Sequence, residues 1–232
     1  MKIGGTLVSS IELSGKMSLV IFMAGCPFRC PYCHNHEIIS GGTDVTLEEI
    51  FEMIYDSSDY IDAVVISGGE PLVQVNDLKE ILSYVKQLQL ETKVDTSGYY
   101  FQRLKEVIPL IDYLSLDIKA PFNKYKKVTM EDIGKDVKKS MEIANNSKNT
   151  HVECRTTYVP ALLSKEDIKQ IAIEITCDEY TIQQFRNKNV LDKTLEKTEA
   201  PNPYELREIA KEIKPLLKKV NIKTAEFGEE TI

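Results

Sequence analysis

No apolar run in the sequence is long enough to cross a bilayer: Leu19 to Ala24 falls far short of the roughly 20 residues that a membrane helix needs. No basic stretch with a small-residue cleavage site precedes that run, so neither signal peptide nor membrane span is expected, and a cytoplasmic location is. Positive charge is also in short supply, 29 Lys and Arg against 36 Asp and Glu, net −7. The one lysine cluster, "NKYKK" at 123 to 127, reads as a solvated loop, so nothing supports nucleic acid as a main partner. Cysteines are too few and too unevenly placed for a disulfide framework. There are five, an odd number, and three crowd into "AGCPFRCPYCHN", residues 24 to 35, which points to metal or redox use in a reducing cytosol. Internal repeats and low-complexity tracts are missing, and 42% hydrophobic with 28% charged residues is ordinary for one globular domain. A single domain over 1–232, with its core at about 17–220, is therefore expected.

What is present is an alternation. Apolar strand-like runs at 17–23, 62–67, 92–96, 112–118, 151–159 and 179–185 are separated by amphipathic helical patterns. Thr46 and Glu49 form a capping box before Leu47, Ile50 and Ile54; Asn76 reads as the cap of a helix over 76–88. A shorter helix falls near 100–108 and another near 132–145. Ser164 starts the next, and Asn202 with Pro203 opens the last. The segment "VNIKTAEF" is expected to add an edge strand, and "NKNVLDKTLEKTEAPNP" (187–203) is either a linker or a loop shaping the mouth of a site. Six strands alternating with helices imply parallel strands joined by crossover helices.

The unusual residues all fall after strands. The cysteine stretch follows the first, "SGGEP" (67–71) the second, "DTSG" (95–98) the third, "LDIKAP" (116–121) the fourth, "RTTYVP" (155–160) the fifth and "QQFR" (183–186) the sixth. C-terminal strand ends are where parallel α/β folds gather their sites, and a fold without a site would scatter such residues over both faces.

Each motif also has a plainer reading. Cys26, Cys30 and Cys33 with His34 or His36 could make a structural zinc site, although His34 beside Cys33 is a strained pair of ligands for one ion. The C-x3-C-x2-C spacing fits a cubane cluster with one iron left open. "SGGEP" is an acceptable turn; at a strand end, its two glycines let a ligand approach the backbone and Glu70 can accept from an ammonium. Asp95 and Asp117 end neighbouring strands, with Thr96 and Ser97 able to cap, and two acids side by side suit a bound cation or sugar hydroxyls. Lys119 and Arg155 add positive charge to this ring, either pairing with Asp117 or Glu70 or contacting a ligand. Cys154 and Cys177 read as small buried hydrophobes.

Cys26, Cys30 and Cys33, with Tyr32 before the last cysteine and "SGGEP" after the next strand, resemble the signature of the radical S-adenosylmethionine superfamily. Within it, "CHN", "DTSG" and "LDIKAP" resemble the glycyl-radical-enzyme activases of the pyruvate formate-lyase type, and "YTIQQFR" is similar to the anaerobic ribonucleotide reductase activating branch. The resemblance covers the chain from about the first strand to the sixth.

It implies an α/β fold with a partial (β/α)6 parallel barrel. The three cysteines would hold three irons of a 4Fe-4S cluster, and the fourth iron would bind S-adenosylmethionine. It further implies that the Tyr32 backbone meets adenine, that Gly68, Gly69 and Glu70 receive the methionine amino group, and that Asp95, Thr96 and Asp117 form a monovalent-cation site. Lys119 and His34 fall on cofactor-contact positions; Arg186 stands roughly where relatives place a histidine near the ribose. The implied activity is anaerobic: reductive cleavage to a 5'-deoxyadenosyl radical that takes a hydrogen atom from a glycine of a partner glycyl radical enzyme. Ferredoxin or flavodoxin would donate the electron. Two other readings stay open: a radical enzyme acting on a small molecule, similar to 7-carboxy-7-deazaguanine synthase, and a non-catalytic zinc or iron-sulfur protein.

Overall fold

The computed structural model describes residues 1–232. Ten strands form one sheet: β1 (Lys2–Ser9), β2 (Ser18–Met23), β3 (Thr43–Asp44), β4 (Ala63–Gly68), β5 (Glu91–Thr96), β6 (Tyr113–Asp117), β7 (His151–Tyr158), β8 (Glu179–Gln184), β9 (Val220–Thr224) and β10 (Gly228–Thr231). The helices are α1 (Leu47–Ser57), α2 (Val75–Gln87), α3 (Phe101–Val107), α4 (Tyr125–Thr129), α5 (Gly134–Asn145), α6 (Lys165–Glu174) and α7 (Pro203–Ile213). Strand order is β10-β9-β8-β7-β6-β5-β4-β2-β1-β3. Every pairing from β2 through β9 is parallel. The α/β fold with a mostly parallel, partly closed sheet stands as expected.

Several local details differ from the sequence reading. The parallel set has seven strands, because "VNIKT" lies beside β8 and the edge position passes to β10, which folds back antiparallel on β9. β1, antiparallel to β2, was not foreseen: Gly4 and Gly5 interrupt its apolar run, and a bulge accompanies them. Asn76 is no cap. A short 3-10 turn from Pro71 leads straight into α2, which puts Gln74 at the cap position and Asn76 inside the first turn. "NKYKK" is not wholly solvated, since Tyr125 is fully buried and opens α4. The Thr46/Glu49 box, the helix start at Ser164 and the Asn202 cap form as the sequence indicates, and Asp167 completes a second capping box with Ser164.

The two sheet faces differ in chemistry. Along β7, Val152, Cys154, Thr156 and Tyr158 are buried, while His151, Glu153, Arg155 and Thr157 alternate with them on the other face. The in-register pairs Asp95↔Ser115↔Glu153 and Asp117↔Arg155↔Thr181 continue that polar face across β5 to β8. Period-two alternation thus gives the concave side charges and hydroxyls, where closed (β/α)8 barrels pack branched apolar side chains. The curl stays open between β9–β10 and the turn joining β1 to β2. One lysine of β9 bridges it, Lys223 Nζ donating to the Ile11 carbonyl at 3.0 Å, while Lys93 Nζ of β5 reaches across the concave face to donate to the Glu12 carbonyl of the same turn.

Candidate functional site

The cysteine loop is tied down by backbone on two sides. The Gly25 and Cys26 N–H groups donate to the Ile38 and Ile39 carbonyls at 2.8 and 3.2 Å. Arg29 Nη1 closes the loop on itself by donating to the Cys26 and Phe28 carbonyls. On the far side, the stretch after β8 donates from Leu191 N to the Cys33 carbonyl (3.2 Å) and from Asp192 N to the Pro31 carbonyl (2.8 Å). His34 Nε2 donates to the Arg186 carbonyl at 2.9 Å. Residues 187–203 are therefore a strap on the cysteine loop rather than a linker, and Val190 and Leu195 anchor it in the core.

Cys26, Cys30 and Cys33 line one cavity of about 230 Å³ together with Tyr32, His34, Gly68, Gly69, Asp95, Thr96, Asp117, Lys119 and Arg155. Burial pushes all three thiols up, Cys26 to about 11. Opposing it, the Phe28 N–H donates to Cys26 and the Asn35 N–H to Cys33, and Lys119 lends positive charge to all three. A sulfur that is dry, donated to by amides and near a cation suits a thiolate once a metal replaces its proton. No three Cys, His, Asp or Glu side chains close around one point as ligands of a single ion do. Three thiols at C-x3-C-x2-C spacing on the wall of one cavity are a donor set for a cubane cluster with one iron left open. The donor set fits a cluster.

The glycines of "SGGEP" make room for the chain's own backbone. A Cβ on Gly68 would lie 2.4 Å from the Met23 carbonyl oxygen, and one on Gly69 would lie 2.3 Å from that of Gly25. Gly68 also has φ +117°, which L side chains rarely adopt. The two residues let the end of β4 tuck beneath the cysteine loop, where Gly69 N–H donates to Met23 O and Glu70 N–H to Gly25 O. Gly69→Ala is expected to push the cysteine loop outward at a cost of about 1–3 kcal/mol. A lowered melting temperature, together with less iron retained after anaerobic reconstitution than in wild type, would check it.

Glu70 is not on the cavity wall. It is fully buried, beneath the ends of β4 and β5, and its carboxylate accepts from Leu72 N, Thr96 Oγ1, Ser97 N and Ser97 Oγ. Burial raises its pKa while those donors oppose the rise. Thr96 and Ser97 thus bind Glu70 rather than capping a helix, and neither Lys119 nor Arg155 pairs with Glu70.

Both cations pair with the aspartates. Arg155 spans them, with Nε 3.0 Å from Asp117 Oδ1 and Nη2 3.4 Å from Asp95 Oδ2; Lys119 Nζ lies 3.2 Å from Asp117 Oδ2. Burial would raise the Asp95 carboxyl, but Arg155 and Lys93 outweigh it and hold it at about 2. Asp117 is likewise held low against burial, by Lys119 and Arg155. Tyr32 is buried beside this group, and its phenol is pushed up, chiefly by burial. Of the cofactor-contact positions, Glu70 and Arg186 stand outside the thiol cavity; Arg186 is exposed and lines an outer opening that it shares with His34, Thr157 and Gln183. Ser67, Ser97, Thr157 and Gln183 also reach the inner cavity. All four lie inside motifs picked out by sequence, but nothing local marks which of their residues point inward.

A family model described as the Radical SAM superfamily matches residues 20–175. A Methanocaldococcus jannaschii protein named as a glycyl-radical enzyme activating enzyme is 40% identical over 227 residues, covering 94% of this chain and 93% of its own. The pyruvate formate-lyase-activating enzyme of Clostridium pasteurianum is 33% identical over 180 residues, 71% of this chain and 74% of its own. Among solved structures, Streptococcus suis SuiB bound to S-adenosylmethionine superposes with a TM-score of 0.65 at 16% identity, over 86% of this chain. This chain spans 48% of that longer protein, and the likeness concerns the fold.

Proposed function

The chain belongs to the radical S-adenosylmethionine superfamily, and from that footing we propose that Cys26, Cys30 and Cys33 hold three irons of its 4Fe-4S cluster, leaving one iron for S-adenosylmethionine. The observation that carries this reading is the shared cavity: three thiols on one side, Cys30 buried and Cys26 and Cys33 partly so, and the ends of β4, β5, β6 and β7 on the other. When bound, the two groups supply one-electron cleavage of a carbon–sulfur bond and, from it, hydrogen-atom abstraction.

The residues bind, orient and screen. Lys119 and Arg155 neutralise a carboxylate, and the main chain at Tyr32, Gly68 and Gly69 offers amide edges to the amino-acid and adenine portions. Asp95, Thr96 and Asp117 offer oxygens to a monovalent cation. The strap at 187–203 keeps water and oxygen from the thiols. No side chain is needed as a general base.

The substrate is a glycine in a partner glycyl radical enzyme, and anaerobic ribonucleotide reductase is such a partner. Relatives carry that activity in their names, and a second cavity of about 830 Å³ supports it. That cavity meets the thiol cavity at His34, Thr157 and Gln183, and reaches the open side between the β1–β2 turn and β9–β10. Ser10, Ser14, Gln184 and Thr224 line it, hydroxyl and amide groups that suit a peptide main chain. A ferredoxin or flavodoxin completes the system as electron donor.

The test is anaerobic. Reduced, reconstituted protein is mixed with S-adenosylmethionine and a candidate partner whose glycine carries deuterium on Cα. A glycyl radical signal on the partner, with deuterium in the 5'-deoxyadenosine formed, is the expected result. Stoichiometric deuterium transfer from a deuterated metabolite in a parallel reaction, with no protein partner needed, would move the chain to the small-molecule branch.

A further inference from the structure

Three side chains border both the thiol cavity and the larger outer cavity: His34, Thr157 and Gln183. Gln183 also borders a third cavity, of about 350 Å³, towards the strand N-termini on the concave face, so it stands where all three spaces meet. The pleat of β8 puts it there. Tyr180 and Ile182 are fully buried in the core, Thr181 belongs to the polar concave face, and Gln183, two residues on, takes the same side. Its register partners are Thr157 on β7 and Lys223 on β9.

The polar groups around it are tied to the protein's own main chain. His34 Nε2 donates to the Arg186 carbonyl at 2.9 Å, and Lys223 Nζ donates to that of Ile11. Gln184, the next residue, accepts from the Ala225 N–H at 2.8 Å and donates to the Pro201 carbonyl at 3.0 Å. Gln183 has a single contact, the Thr157 hydroxyl 3.4 Å from its Oε1, which is long for such a bond. Its NH2 group donates to no atom of the protein. A half-buried carboxamide with its donors unspent is completed by whatever occupies the cavity it faces.

We propose that Gln183 grips the main chain of the partner protein beside the reacting glycine, its Nε2 donating to a peptide carbonyl and its Oε1 accepting a peptide N–H. This deepens the functional reading above and rests on it. A carboxamide carries the same donor and acceptor as a peptide group, so the two can pair at two points whatever the side chains of the incoming segment. The segment reaches Gln183 through the outer cavity and stops at the edge of the thiol cavity. A residue without a Cβ brings its main chain closest, so a grip of this kind at the junction favours glycine over any other residue.

Titration of the partner tests it. Reduced, reconstituted holoenzyme with saturating S-adenosylmethionine is offered each glycyl radical enzyme of the same genome, its glycines deuterated at Cα, and radical formation is followed against partner concentration. Loss of a two-point hydrogen-bonded contact costs about tenfold in affinity. Gln183→Leu should therefore raise the half-saturating partner concentration by about that factor and lower the share of 5'-deoxyadenosine that carries deuterium. Gln183→Glu keeps the size and an acceptor but has no NH2 group, and should show the same two losses. Any weakening of S-adenosylmethionine binding, measured separately on each variant, should be the smaller effect. The assignment is overturned if Gln183→Leu keeps the wild-type half-saturation and deuterium share, or if S-adenosylmethionine affinity falls as far as affinity for the partner, which would make Gln183 a cofactor contact. If Gln183→Leu does not fold, Gln183→Glu against wild type decides alone. A wild type that places a radical on none of these enzymes would instead remove the functional reading on which the assignment stands.

Discussion

Cys30→Ala is expected to yield a folded protein that no longer assembles a full cluster and forms no measurable 5'-deoxyadenosine from S-adenosylmethionine under reducing conditions. Cys30 is the most buried of the three thiols at 8% exposure, and neither of the other two cysteines, Cys154 and Cys177, lines the cavity to replace it. Losing one hydrogen-bond partner of a metal ligand costs roughly 10–100-fold, so losing the ligand itself should cost well over about a hundredfold. Cys154→Ala is the control. That thiol is fully buried within β7, away from the cavity, so its loss should cost some stability and leave iron, sulfide and product unchanged. Iron and sulfide analysis, the visible absorbance of the reduced and oxidised protein, and chromatography of the nucleoside product check both variants. A Cys30→Ala protein with a full iron complement and undiminished product would sink the ligand assignment. Purified wild type that kept zinc and rejected iron would restore the structural-zinc reading.

Arg155→Met is expected to lower the melting temperature at neutral pH by about 6–20 °C. Arg155 lies between Asp95 and Asp117; the Arg155 and Asp95 side chains are almost wholly out of water, and that of Asp117 is 31% exposed. Removing one partner of a buried ion pair leaves uncompensated charge, at about 3–5 kcal/mol, and each kcal/mol shifts a chain of this size by about 2–4 °C. The pH dependence has a definite sign. In wild type, Asp95 is held at about 2, below the ~3.9 of an unfolded aspartate, so its stabilisation is complete above about 4 and is lost as pH falls toward 2. In the variant, burial without the guanidinium raises both carboxyls, and the penalty is present at neutral pH and relieved as they take up protons. The gap in melting temperature should therefore narrow steadily on acidification. A gap that stayed constant from pH 7 to pH 3 would mean that Arg155 acts through packing alone.

Both variants address residues that were legible before any coordinates. The cysteine spacing, the placement of six motifs after six strands, and the alternation of strand with helix all sit in local stretches of a few residues. Tyr32, Asp117, Lys119 and Arg155 do meet around one cavity, because parallel strands joined by crossover helices bring their C-terminal ends together whatever the intervening loops do. β1 was harder to read. Its glycines break the period, and its burial depends on a partner that the preceding sequence does not signal. Asn76 misled for a related reason: an N-cap residue type was present, but Pro71 had already started the turn that α2 continues.

The sequence by itself determined the parallel fold class, the three-thiolate donor set and the ring of polar strand ends, because each follows from local periodicity or from spacing along the chain. Only the tertiary structure decided which atom of each residue is available. Glu70 and Asp95 are both acids next to strand ends in glycine- and serine-bearing motifs, and nothing local tells them apart. Glu70 turns inward, where Leu72, Thr96 and Ser97 converge on it, whereas Asp95 sits on the concave face with one oxygen unpaired. Likewise the Gly68–Gly69 pair serves close contact with Met23 and Gly25, and residues 187–203 fold onto the cysteine loop. Those outcomes depend on contacts between residues tens to more than a hundred positions apart, which burial and hydrogen-bond saturation settle and local sequence does not encode.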